Sequence, residues 1–232
     1  MNKIPPADFK GLSRMSEILI LSEKIKRQFL RMTAPVCHFL SNLGVSPNAI
    51  SFAGLILSMV AGGFYGGGFF FQGGLVLIVA GICDVLDGQM ARQSGRHSLF
   101  GAFIDSAIDR FSENFIFIGF AWYFSGNSGS EAGAIPGSWV VSIIILALSG
   151  SFMVSYTRAR AEGLGVDCKV GWMQRPERIA LLVLGSLLAG ILNGGQLVMI
   201  GTLSLIAVLS NYTAIQRILY VRNQIAKKSQ EG

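Results

Sequence analysis

The sequence predicts an all-α integral membrane protein, with six transmembrane helices preceded by a cytoplasmic amphipathic juxtamembrane helix. Three observations support this fold class. The 232 residues are 51% hydrophobic and only 14% charged, whereas soluble domains carry about 25% charged residues. Six apolar stretches approach the roughly 20 residues that a helix needs to cross the hydrocarbon layer. The connections between these stretches alternate between basic and non-basic segments.

The distribution of Lys and Arg predicts the orientation in the membrane. Basic residues gather in the N-terminal arm and in three later clusters, and they are absent from three spacers. The clusters lie near residues 92–110, 158–178 and 217–228, and the spacers are 62–74, 125–137 and 192–197. Because basic connections stay on the cytoplasmic side, we expect a multi-pass protein of the cell membrane with both termini in the cytoplasm. This pattern explains the net charge of +6 without nucleic acid as a partner.

Residues 1–46 are predicted to form an N-terminal arm and an amphipathic interfacial helix. From residue 16 to about residue 43, apolar residues recur at helical spacing beside a basic face, which is typical of a helix lying on anionic headgroups. A solvated helix that packs on the protein is the alternative for its first half. Ser46 is the expected N-cap of the next helix, and Pro47 is its expected first residue.

Residues 47–232 are predicted to form one six-helix transmembrane domain. The sequence contains no recognisable internal repeat. The predicted spans are 47–64, 70–91, 98–124, 137–162, 175–192, and a last helix that follows a turn at 193–195 and continues past residue 217 into a basic tail.

Four aspartates mark the junction between the second and third predicted spans: Asp84, Asp87, Asp105 and Asp109. Charged side chains inside a membrane cost roughly 2.5–3.5 kcal/mol each on insertion scales, so they indicate function. Residues three or four apart share a helical face, and the short loop 92–97 makes the two helices antiparallel neighbours. Four converging carboxylates repel one another unless a cation neutralises them. Hard oxygen ligands of this kind favour Mg²⁺ or Mn²⁺.

Small and basic residues beside the aspartates suit a phosphorylated substrate. Gly88 and Ala91 leave room for a ligand, and Arg92 and Arg96 offer guanidinium groups to phosphate oxygens. The alternative is that single aspartates cap helix ends or pair with arginines such as Arg92 and Arg110.

The spacing of these residues resembles the signature of the CDP-alcohol phosphotransferases, integral membrane enzymes of phospholipid synthesis. The signature reads D-x-x-D-G-x-x-A-R, eight residues, then G-x-x-x-D-x-x-x-D. The matching positions are Asp84, Asp87, Gly88, Ala91, Arg92, Gly101, Asp105 and Asp109. The family's six-helix architecture, with an amphipathic helix before the first span, also fits the chain, and the resemblance implies a homodimer.

The resemblance further implies a reaction in which a CDP-diacylglycerol-type lipid gives its phosphatidyl group to an alcohol and releases CMP. Asp84, Asp87 and Asp105 would be metal ligands for two Mg²⁺ or Mn²⁺ ions, and Asp109 would be both a ligand and the general base. The positions that match the family's nucleotide-binding residues are Pro47, Asn48, Gly88, Arg92 and Ser98.

Four arginines are expected to face a cytoplasmic cavity and to bind the acceptor: Arg158, Arg160, Arg178 and Arg217. Several converging guanidiniums favour an acceptor that carries its own phosphate. Their segments resemble the phosphatidylinositol phosphate synthase branch, which implies inositol 1-phosphate as the acceptor. This chain departs from that branch by having Arg158 where Lys is usual and Gln174 where Glu is usual. The alternative is that the arginines are ordinary positive-inside anchors.

Other acceptors and other classes of protein remain as alternatives. Glycerol 3-phosphate, free inositol and serine are possible acceptors, although no G-K-x-K-T-type segment of the glycerol-phosphate branch follows the fourth span. An ion-coupled transporter would place acids on several separate helices and often has inverted repeats. A prenyltransferase would carry its paired aspartates in widely separated segments.

Overall fold

The structure, a computed structural model, describes residues 23–93, 99–126, 135–192 and 194–231, and within these ranges it contains seven α-helices and no β-strand. The predicted all-α fold is therefore confirmed. The helices are α1 (Glu23–Asn42), α2 (Pro47–Gly66), α3 (Phe70–Gln93), α4 (Leu99–Gly126), α5 (Gly137–Glu162), α6 (Arg175–Ile191) and α7 (Gly195–Glu231). The predicted arm at 1–15, the beginning of the predicted amphipathic helix and parts of two predicted loops lie outside the described residues.

Local sequence signals account for the start and end of α2. Ser46 has an extended backbone, and its hydroxyl oxygen accepts a hydrogen bond from the Ala49 amide at 3.2 Å. Pro47 follows at the first helical position, where its missing N–H costs nothing. Gly68 adopts a φ of 78° in the turn to α3, a conformation that side chains disfavour. The predicted N-cap and helix start are confirmed.

The helices pack in a fixed set of pairs. Helix α2 packs against α3 and α4, α3 against α6, α4 against α5, and α7 against both α5 and α6. The α2–α4 contact is a close backbone approach, because a Cβ atom on Gly119 would lie 2.1 Å from the Gly62 carbonyl oxygen. Small residues that let two backbones touch are typical of helix pairs in membranes.

Four of the helices, α2, α3, α5 and α7, are long and apolar enough to cross a membrane. Helix α4 is less apolar because four charged side chains lie between residues 105 and 113. Helix α6 has 17 residues, which is about 26 Å at the usual rise per residue and slightly short of the roughly 30 Å hydrocarbon layer. This is the helix composition of a membrane protein.

Helix α1 packs against the end of α3 that carries the aspartates. Cys37 is fully buried there, in an apolar cluster with Ile50, Leu86 and Met90. Another side of α1 carries the exposed apolar side chains of Met32, Val36 and Phe39, and the exposed Leu43 follows directly after the helix.

Candidate active site

Three of the four predicted aspartates meet at the junction of α3 and α4. Carboxylate oxygens of Asp84, Asp105 and Asp109 all lie within 4.8 Å of one another. The last turns of α3 supply the first aspartate, and the beginning of α4 supplies the other two, one helical turn apart. The sequence spacing predicts this convergence, and the structure shows it for these three side chains.

Asp87 lies beside this cluster but does not belong to it. Its side chain is buried, with 6% of the residue exposed, and its Oδ2 accepts a hydrogen bond from the Ser51 hydroxyl at 2.6 Å. The Ser51 hydroxyl also lies 3.3 Å from the Pro47 carbonyl oxygen. Ser51 therefore joins the start of α2 to the aspartate-bearing end of α3. Its position one turn after Pro47 in α2 is the sequence signal that could have identified it.

Among the described residues, Arg175, the first residue of α6, provides the positive charge nearest to the aspartate cluster. Its Nη1 lies 2.7 Å from Oδ1 of Asp84 and 2.9 Å from Oδ1 of Asp109. Arg110 lies 3.6 Å from the second oxygen of Asp109. Of the pairings considered as an alternative role for the aspartates, the one with Arg110 is therefore present. The sequence assigns Arg175 to the start of a helix but does not reveal these contacts, which join residues 91 and 66 positions apart.

The aspartate cluster lies at the polar end of a cavity of about 410 Å³ between α2, α3, α4 and α6. The four aspartates and Arg175 contribute its charged lining. Apolar side chains line the remainder, and they include Leu55, Leu77, Ile108, Ile179 and Val183. A cavity with one charged end and an apolar interior suits a molecule with a charged head and apolar chains.

Arg178 lies inside the protein rather than in this cavity. Only 1% of the residue is exposed, and its Nε and Nη2 donate to Oε1 of Glu113 at 3.0 and 2.7 Å. Its Nη1 donates to the Met173 carbonyl oxygen at 3.1 Å. Glu113 follows the last aspartate by one helical turn, and that spacing is the signal that could have identified it as part of the same helical face.

Arg217 is also buried, at 2% exposure. It donates to the carbonyl oxygens of Val170 at 2.8 Å and Val154 at 2.5 Å. Arg158 pairs with Glu162 at 2.9 Å on the surface, and Arg160 is exposed. Two of the four predicted acceptor arginines, Arg178 and Arg217, are therefore buried against protein oxygens, whereas Arg158 and Arg160 reach the surface. Arg178 and Arg217 turn inward because carboxylate and carbonyl oxygens in the protein satisfy their donors.

The residues that match the family's nucleotide site lie at one end of the molecule. Pro47 and Asn48 begin α2, and Gly88 and Arg92 lie in the last turns of α3. The Ser51–Asp87 hydrogen bond brings these two helix ends together. The fifth predicted residue, Ser98, lies outside the described residues.

The donor atoms present fit a hard divalent cation. Three carboxylates whose oxygens lie within 4.8 Å of one another supply the ligand type that Mg²⁺ and Mn²⁺ prefer. No thiol or imidazole belongs to this group in the part of the chain that the structure describes. That composition disfavours a zinc or copper centre.

Comparison with known proteins gives a family and several named relatives. Residues 44–213 match the CDP-alcohol phosphatidyltransferase family. A phosphatidylinositol phosphate synthase of Streptomyces avermitilis is 34% identical over 215 residues, which cover 90% of this chain and 85% of that protein. An archaetidylinositol phosphate synthase of Methanothermobacter thermautotrophicus is 37% identical over 172 residues, which cover 74% of this chain and 80% of that protein.

Two solved structures of the Mycobacterium tuberculosis phosphatidylinositol phosphate synthase are also similar. The structure with CDP-DAG bound has a TM-score of 0.73 at 28% identity, covering 82% of this chain and 94% of that one. The structure in complex with manganese and citrate has a TM-score of 0.71 at 28% identity, covering 82% and 88%. The similarity thus extends over most of both chains.

Proposed function

The chain belongs to the CDP-alcohol phosphatidyltransferase family, and from this premise we propose that it transfers a phosphatidyl group from a CDP-diacylglycerol-type lipid to inositol 1-phosphate, releasing CMP. The cluster of Asp84, Asp105 and Asp109 at the charged end of a largely apolar cavity carries the proposal. The acceptor is supported by the relatives' names, which share an inositol phosphate lipid as the product.

Divalent metal is part of this function. Asp84, Asp87, Asp105 and Asp109 would hold two ions, Mg²⁺ or Mn²⁺. Bound there, the metal would neutralise charge on the donor's phosphates and on the departing CMP. The manganese in the similar mycobacterial structure supports a divalent ion in this family.

Asp109 takes the proton in the proposed reaction. Its carboxylate removes the proton from the acceptor's hydroxyl, and the hydroxyl oxygen forms a bond to the β-phosphorus of the donor. The phosphoanhydride bond to CMP breaks, and its electron pair leaves with the CMP phosphate. The contacts with Arg175 and Arg110 orient the Asp109 carboxylate at the charged end of the cavity.

The acceptor's phosphate is assigned to Arg158, Arg160, Arg178 and Arg217. Arg158 and Arg160 are accessible from the surface and can reach a phosphate by side-chain rotation. Arg178 and Arg217 would each exchange one of their hydrogen bonds to a protein oxygen for one to a phosphate oxygen. Alternatively, they would hold in place the protein segments that surround the acceptor. The CDP head of the donor is assigned to Pro47, Asn48, Gly88, Arg92 and Ser98.

We place residues 47–232 in the cell membrane as six spans, with α4 and α6 added to the four more apolar helices. Trp122 and Trp139 are strongly exposed at the end of the molecule opposite the aspartates, as expected for tryptophans at a membrane interface. The exposed apolar stripe of α1 supports an interfacial position for residues 1–46. In this arrangement the active site and both termini face the cytoplasm, and a homodimer forms within the membrane.

An omission experiment tests the proposed function. Purified protein in detergent is given a CDP-diacylglycerol lipid, Mg²⁺ and inositol 1-phosphate, and CMP release is measured with each component left out in turn. We expect CMP only when all three are present. Release without an acceptor would indicate hydrolysis instead of transfer. Ion movement into vesicles without any CMP release would indicate a transporter.

A further inference from the structure

Helix α3 presents two different faces at its aspartate-bearing end. Asp84, Asp87 and Gly88 lie on one face, at spacings of three and four residues. Leu86, Gln89 and Met90 have the same spacings and lie on another face, which contacts α1. The second face belongs to the signature segment but has no place in the proposed reaction.

Gln89 forms a buried polar contact with α1. Its Oε1 accepts a hydrogen bond from the Thr33 hydroxyl at 2.7 Å and another from the Cys37 thiol at 3.3 Å. Gln89 and Thr33 are each 8% exposed, and Cys37 is fully buried. Burial raises the pKa of the Cys37 thiol, so the thiol keeps the proton that it donates. We call these three residues the Gln89 latch.

The latch fixes how α1 lies on α3. Apolar side chains pack beside it, including Leu40, Leu86 and Met90, and apolar contacts alone tolerate sliding and rotation. A buried amide oxygen that loses its donors costs free energy. The position of α1 in which Thr33 and Cys37 donate to Gln89 is therefore favoured over shifted or rotated positions. A single buried amide sets the register of coiled coils in the same way.

Both halves of the proposed nucleotide site depend on this arrangement. Helix α1 ends at Asn42, and a turn with Gly44 at a φ of 76° leads directly to Pro47 and Asn48. On α3, Gln89 is adjacent to Gly88 and three residues before Arg92. A change in how α1 packs on α3 would therefore move Pro47 and Asn48 relative to Gly88 and Arg92.

We propose that Gln89, together with Thr33 and Cys37, is a positioning residue for the CDP-lipid donor, and this inference depends on the proposed function. The latch lies on the face of α3 away from the aspartates, and it touches neither the acceptor arginines nor Asp109. Its loss should therefore weaken donor binding and leave the later chemical step largely intact.

Steady-state kinetics of four variants test the proposal. Gln89→Leu and Thr33→Val remove the contact with little change in volume, and Thr33→Ser keeps the hydroxyl. Gln72→Leu makes the same exchange at an exposed position of α3. We expect Gln89→Leu and Thr33→Val to raise the KM for the CDP-lipid about tenfold. The KM for the acceptor and kcat should stay within about twofold of wild type, and the other two variants should resemble wild type.

Direct binding of CMP, measured by calorimetry, separates the inference from the proposed function. If wild type releases no CMP in the transfer assay, the proposed function fails, while the CMP affinities of the variants still report on the latch. Equal CMP affinity in Gln89→Leu, Thr33→Val and wild type would overturn the inference. Equal losses in donor KM, acceptor KM and kcat would also overturn it, because they indicate a general structural role.

Discussion

At the scale of single residues, the Ser51 hydroxyl is expected to influence metal binding through its hydrogen bond to Asp87. It donates to Asp87 at 2.6 Å from a buried position, so Ser51→Ala would leave the Asp87 carboxylate without this partner. Partners that orient a metal ligand typically contribute about 10- to 100-fold to metal affinity. We expect Ser51→Ala to raise the Mg²⁺ concentration for half-maximal CMP release about tenfold or more.

Ser58→Ala is the control for that prediction. Ser58 is also buried in α2 and lines the same cavity, but its hydroxyl donates to the Gly54 carbonyl oxygen of its own helix. Its removal should leave the Mg²⁺ dependence unchanged. An equal shift of the half-maximal Mg²⁺ concentration in both variants would show that metal binding by Asp87 does not depend on the Ser51 hydroxyl.

Asp109→Asn tests the assignment of the general base. The amide keeps the shape of the side chain but cannot take a proton, and a general base contributes about 10²–10⁴-fold to a rate. We expect turnover to fall at least about 100-fold, while CMP binding changes little. Turnover close to that of wild type would exclude Asp109 as the proton acceptor.

The sequence predicts the acids of the site better than their partners. Residues one turn apart share a helical face, and the short loop at 92–97 makes the two helices antiparallel neighbours, so the sequence alone brings Asp84 and Asp105 together. The partners Arg175 and Ser51 come from helices that meet α3 only through tertiary packing. No local pattern indicates which arginine of a basic segment turns inward, and so the inward orientation of Arg178 was not predicted.

At the scale of helices, the contact between α2 and α4 depends on Gly62. A Cβ atom there would lie 2.4 Å from the Phe115 carbonyl oxygen, so Gly62→Ala would force the two backbones apart. Overpacking of this kind costs about 1–3 kcal/mol. We expect a lower unfolding temperature in detergent. At Gly63 a Cβ atom would meet nothing within 4 Å, so Gly63→Ala should not change the unfolding temperature. An equal decrease in both variants would contradict the role of Gly62 in the α2–α4 contact.

The ion pair between Glu113 of α4 and Arg178 of α6 also joins two helices. Both side chains are at most 5% exposed, and removing one partner of a buried pair costs about 3–5 kcal/mol because the other charge stays unpaired. We expect Glu113→Ala to reduce the free energy of unfolding by about this amount.

An exposed ion pair of the same chain serves as the comparison. Asp167 pairs with Lys169 at 2.8 Å, with side chains 66% and 71% exposed. Because surface pairs contribute only about 0–1 kcal/mol, Asp167→Ala should scarcely change stability. A similar loss in Asp167→Ala and Glu113→Ala would show that the buried pair contributes nothing particular to the α4–α6 contact.

Helix positions follow closely from local sequence, and helix neighbours do not. The predicted helix at 137–162 matches α5, and the predicted start at Pro47 matches α2, because proline, glycine and capping residues act locally. The docking of α1 through Gln89 joins residues 56 positions apart. Hydrophobic periodicity identifies a face for such a contact but not the helix that covers it.

At the scale of the whole molecule, the charged end of the cavity lies at one end of a largely apolar helical bundle. The cavity extends from the aspartates between four helices, so a lipid's charged head and its chains have separate environments. The composition predicts a membrane protein, and the aspartate signature predicts the class of reaction. Neither one determines the acceptor, because the arginines assigned to it lie in segments whose side-chain directions depend on tertiary packing.

An acceptor panel tests the central claim most directly. CMP release from a CDP-diacylglycerol lipid and Mg²⁺ is measured with inositol 1-phosphate, inositol, glycerol 3-phosphate or serine, and the lipid product is identified by mass spectrometry. We predict rapid release with inositol 1-phosphate, with the phosphatidylinositol phosphate as product, and background release with the other three. Faster transfer to free inositol, glycerol 3-phosphate or serine would contradict the assigned acceptor.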